Sequence, residues 1–174
     1  MDTFLEILKY ILPALVVFAT VYLLIKRFLD QQHSLELMKY RQAQVAEITP
    51  LKLQAYERLL MLCERISIPN LMLRLNVKES TVEQLSKAML VAIQQEYEHN
   101  LTQQIYVSES LWQIITMAKN QTSEIVSTAA SKLDRSAPGN LIAMEAAEVM
   151  QQSKVNPLDA AKRSIRKELS VLFG

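Results

Sequence analysis

Glycine occurs only twice in the 174 residues, as Gly139 and Gly174. A phosphate cradle needs backbone that approaches its ligand without a Cβ, so P-loop and dinucleotide-binding folds are excluded and no nucleotide partner is expected. Alternating β-branched runs are scarce while Leu, Ala, Gln, Glu, Met and Lys dominate, which predicts an all-α chain. A formal charge of +1 gives no general attraction to nucleic acid, and none is expected as a partner. Cys63 is the one cysteine, which rules out an intrachain disulfide and a cysteine metal cluster. Its place on an apolar helical face predicts a buried, inert thiol.

From Tyr10 to Ile25 the chain carries no charge, and the run is bracketed by Lys9 and by Lys26–Arg27. Phe4, Leu5, Ile7 and Leu8 extend it and Lys9 can snorkel to headgroups, so about twenty residues are expected to cross a bilayer. This predicts a single-pass transmembrane anchor over residues 1–25. A signal peptide fits less well, since Asp2 and Glu6 precede Lys9 and no small-x-small site follows the run. Lys26, Arg27, Lys39 and Arg41 follow the run, which predicts an amino terminus outside and a cytoplasmic body.

Residues 26–48 keep helical composition and are expected to form a juxtamembrane stalk. Phe28, Leu35, Met38 and Val45 fall at heptad spacing, with Gln31 and Gln42 in the same seam. Such a seam fits a self-associating stalk or a solvated spacer helix. Thr49-Pro50 offers a cap and a first helical residue, so a new helix and a compact helical domain over residues 49–173 are expected to begin there. Its apolar stripes are Leu53, Tyr56, Leu59, Leu60, Cys63 and Ile66, then Val82, Leu85, Met89 and Ile93. Later ones are Leu111, Ile114, Ile115, Ala118, Ile125, Ala129 and Leu133, and finally Leu158, Ala161, Ile165, Leu169 and Leu172. Ser80-Thr-Val-Glu83 reads as a capping box, and Ser108, Asn140 and Asn156 as later helix starts. Pro138-Gly139-Asn140 reads as a turn.

The most unusual feature is the end of the helix that follows Ser80. At about a hundred degrees per residue, the azimuth of Val82, Leu85, Met89 and Ile93 is continued by Glu96, Asn100 and Gln103, with His99 at its edge. Buried carboxylate and amide groups need partners, so these four residues are expected to form a structural polar network across a helix–helix contact. Glu96-x-x-His99 also has the spacing of a di-iron ligand pair. That site requires a second such pair, and the only other histidine, His33, has no glutamate three residues before it. Glu57, Arg58, Glu64 and Arg65 repeat at seven residues and read as a solvated, salt-bridged helix face.

Leu53-Gln-Ala-Tyr-Glu-Arg-Leu59, Glu64-Arg-Ile66 and above all Glu96-Tyr-Glu-His-Asn-Leu-Thr-Gln-Gln-Ile-Tyr-Val-Ser108, followed by Trp112, carry a resemblance. Across roughly residues 1 to 172 the chain resembles a family of short, single-pass membrane proteins from Gram-negative bacteria whose function is unknown. That resemblance implies a bacterial inner-membrane location. It transfers no activity, cofactor or catalytic residue.

The residues together predict an N-terminal transmembrane helix, a helical stalk and a compact cytoplasmic helical bundle. The expected function is that of a non-enzymatic tether or accessory protein that contacts a protein partner or a second copy through the stalk. No catalytic, cofactor-binding or metal residue is assigned, and no cofactor is expected. The alternative is a small metal-dependent or hydrolytic enzyme that uses Glu96 and His99 in a pocket.

Overall fold

A computed structural model describes residues 2–75, 77–152 and 156–173, without the side chains of residues 2–10, 12, 14, 37, 41, 43, 44, 172 and 173. Every regular element among them is a helix: α1 (Asp2–Arg65), α2 (Ile68–Arg74), α3 (Val82–His99), a 3₁₀ helix (Leu101–Tyr106), α4 (Glu109–Ser131), α5 (Leu141–Gln152) and α6 (Pro157–Phe173). The chain divides into two units, Met1–Thr49 and Pro50–Gly174.

In the first unit the expected anchor is corrected. Among the described residues no helix is long and apolar enough to cross a membrane. The uncharged run is short: sixteen residues rise about 24 Å in a helix, against a hydrocarbon core of about 30 Å. The extension through Phe4, Leu5, Ile7, Leu8 and Lys9 lies outside the described side chains. Single-pass topology and a cytoplasmic domain rested on that span and fall with it, and the inner-membrane location that the resemblance implied has no span among the described residues to support it. The helix start at Thr49 is also corrected. Thr49 Oγ1 donates to the carbonyl of Val45 at 2.6 Å, a bond within α1, and Pro50 lies inside the same helix. A threonine hydroxyl can satisfy itself on the preceding turn instead of capping the next one.

In the second unit the apolar stripes turn inward. Tyr56, Leu59, Leu62, Cys63 and Ile66 of α1, Val82, Leu85, Met89 and Ile93 of α3, and Leu158, Ala161 and Ile165 of α6 belong to one core. Leu53, counted in the first stripe, is 40% exposed, whereas Leu62, outside it, is buried. Helix α4 is the hub and packs against α3, α5 and α6. Across the α3–α4 contact the rings of Tyr97 and Trp112 stack at 5.4 Å, and Lys119 sits 4.9 Å above the Tyr97 ring.

Helix starts show how local chemistry and tertiary contact combine. Ser108 caps α4 by accepting from the amide of Leu111, and Asn156 Oδ1 accepts from the amide of Leu158 at the start of α6. At α3 the capping box sits one residue later than expected: Thr81 Oγ1 accepts from the Gln84 amide while Gln84 Oε1 accepts from the Thr81 amide. The remaining first-turn amides are met by the loop after α4, Val82 donating to the carbonyl of Ala137 and Glu83 to that of Arg135. This strap explains the one internal glycine. Gly139 donates to the Ser80 carbonyl at 2.9 Å, and a Cβ there would lie 2.9 Å from that oxygen and 3.0 Å from the Leu85 side chain.

Candidate functional site

The polar segment is built where α3 runs out. Helix α3 ends at His99, with Asn100 at its carboxyl cap, and the chain tightens into the 3₁₀ helix. About 3.0 residues per turn replace 3.6, so the α-helical azimuth no longer predicts which side faces inward. Gln103 is still buried, but Ile105, two residues on, is 72% exposed.

The four predicted site residues are placed differently from one another. Glu96, with a side chain 15% exposed, pairs with Arg65 of α1 at 2.9 Å and with Arg74 of α2 at 3.6 Å. Asn100 is buried and donates from Nδ2 to the carbonyl of Glu96, one turn back in its own helix. Gln103 is buried and donates to Thr102 Oγ1 at 3.3 Å. His99 is exposed. Glu96 thus joins three helices, whereas the two amides bond locally. Among the described residues no group of three or more His, Cys, Asp or Glu side chains could hold a metal ion.

A second polar centre escaped sequence reasoning. Glu168 of α6 accepts from Tyr56 Oη of α1 at 3.0 Å and from the Ser108 amide at 2.9 Å, and it also bonds the Ser108 hydroxyl. A carboxylate placed here also meets the positive end of the α4 dipole. Burial first, then the bond to Glu168 and its charge, push the Tyr56 phenol up to about 12. No local signal marks Glu168, because its partners lie 60 and 112 residues away. Glu64 and Arg65 are likewise drawn off their own helix face: Lys162 of α6 takes Glu64 at 2.8 Å. Burial pushes the Cys63 thiol up to about 12, which keeps it protonated and unreactive near neutrality.

The first unit presents a different kind of surface. Its residues at heptad spacing are open: Phe28 is 60% exposed, Leu35 48%, Met38 66% and Val45 63%. Val17, Val21 and Leu24 continue the spacing upstream and are exposed as well.

No curated protein and no solved structure matches the chain. A family model does match, over residues 2–172, and it implies neither a membrane location nor a Gram-negative origin. By that match the chain belongs to DUF7935, a family of unknown function.

Proposed function

We propose that this protein is a non-enzymatic helical interaction or accessory protein, in which α1 associates with a second copy of the chain and the Pro50–Gly174 unit is the module so displayed. The observation that carries this reading is the exposed heptad seam from Val17 to Val45. Contiguous apolar surface of this kind on a monomer marks an interaction site. A parallel, in-register pair brings Gln31 against Gln31 and Gln42 against Gln42, polar layers of the sort that specify register at a cost in stability. It also places Arg27 beside Gln32 and Ser34 beside Lys39, so these flanking positions oppose no like charges.

Sedimentation analysis of the full chain tests the reading. A mass near twice 19.9 kDa is expected. Leu35→Glu combined with Met38→Glu should return it to the monomer while the melting temperature of the second unit stays unchanged. A wild-type monomer at every accessible concentration overturns the proposal. The enzyme alternative has no observation in its favour among the described residues, where Glu96 is engaged by two arginines and His99 is exposed.

A further inference from the structure

Within the Pro50–Gly174 unit, a cavity of about 780 Å³ opens where the end of α1, α2, α4, α5 and the start of α6 converge. Its size lies within the ~300–1,000 Å³ range of small-molecule pockets. The hollow has a sequence cause. Helix α5 turns Ala143 and Ala147, one turn apart, towards it, and two small side chains leave the wall set back. Facing them are Ile68, Ile125 and Leu158, which are only 7%, 8% and 5% exposed and so form a deep apolar wall. Met72 and Met150 complete it with flexible, polarizable side chains that adapt to the shape of an occupant.

Charge at the rim narrows the chemistry. Lys162 is the one cation among the described lining residues, and its ammonium is held by Glu64 at 2.8 Å and by Asp159 at 3.4 Å. Two carboxylates on one ammonium leave a local balance of minus one. Among the described residues an anionic headgroup therefore meets no net attraction, and displacing either carboxylate would cost an existing ion pair. We propose that this cavity is a binding site for a neutral, largely apolar small molecule, such as a long-chain alcohol or a molecule with a comparable aliphatic body and an uncharged polar end. The inference is independent of self-association through α1, because every lining residue belongs to the second unit.

The test uses the purified full chain and a dodecanol that bears a photoreactive diazirine, with labelled peptides mapped by mass spectrometry. Labelling is expected on the segments that contain Met72 and Met150. Ala143→Leu with Ala147→Leu should fill the hollow and cut that labelling about tenfold or more, while leaving helical circular dichroism intact. Should the double variant fail to fold, Ala147→Leu alone, at an exposed position, carries the same test. Labels on the first unit are read separately and report on the association seam. The proposal is overturned if labelling of the Met72 and Met150 segments is absent or survives both variants. It is equally overturned if the matching dodecanoate probe labels them more strongly and Lys162→Gln abolishes that labelling, since the site would then select an anion.

Discussion

Phe28 and Leu35 in the first unit are 60% and 48% exposed, whereas Leu59 and Leu71 in the second are fully buried. Both pairs sit in helices with runs of apolar residues, so composition does not separate them. Between Leu15 and Ile25 most of the side chains are apolar, so no polar face opposes the stripe. From Tyr56 onward apolar residues recur on one face with charged ones opposite, and other helices cover that face. An apolar residue contributes stability only when something removes it from water, at roughly 25 cal/mol per Å². The second unit contains its own cover. In the first, the described seam residues are exposed.

The sharpest way to break this contrast is a pair of truncations. Leu59→Ala should cost about 2–5 kcal/mol in chemical denaturation, because the buried site cannot fully collapse around the missing atoms. Phe28→Ala should change the stability of the second unit by less than about 0.5 kcal/mol and act on self-association instead. Equal effects in the two assays would mean that the two units share one core.

A smaller effect is expected at Glu168. Its removal strands the Tyr56 hydroxyl and the Ser108 amide, and Glu168→Ala should cost about 1–3 kcal/mol. The same site sets an alkaline limit. The Tyr56 phenol is raised from 10.0 to about 12 in the folded protein, so the unfolded chain loses its proton first. Stability from this group is fully present below pH 10 and is lost as pH rises towards 12. Melting temperatures across that window should fall less steeply in Tyr56→Phe than in the wild type. Cys63, raised from 9.0 to about 12, adds a loss of the same sign that begins one unit lower, and Cys63→Ala separates the two.

A loss smaller than that at Glu168 should come from Glu96. A carboxylate buried on every side would cost more, but its partners Arg65 and Arg74 have side chains 51% and 36% exposed and can turn to water. Glu96→Ala should therefore lower stability by about 1 kcal/mol or less. A loss comparable to that of Leu59→Ala would show that the polar end of α3 is as critical as the core.

The helices, the buried stripe of α3 and the caps at Ser108 and Asn156 were legible in the sequence. Each depends on residues within a turn or two of one another. The anchor is the exception: the uncharged run does not reach across a bilayer without Phe4, Leu5, Ile7 and Leu8, and apolar residue type alone does not make them part of a span. At Thr49-Pro50 the residue types fit a cap, yet the hydroxyl had a second acceptor on the preceding turn. In the polar segment α-helical periodicity holds as far as Asn100. Beyond it the change to 3₁₀ geometry rotates Ile105 outward, and no residue type announces that change.

Helicity, the inward face of the α3 stripe and the buried thiol at Cys63 follow from the sequence alone, because they depend on local hydrogen bonding and a fixed angular step. Tertiary structure decided which polar groups meet. Glu64 goes to Lys162, Glu96 to Arg65 and Arg74, and Glu168 to Tyr56 and Ser108. It also decided that Ala143 and Ala147 leave a hollow instead of closing a helix contact. Such pairings depend on how helices distant in the chain lie against one another, and the angular step along a single helix carries no record of that.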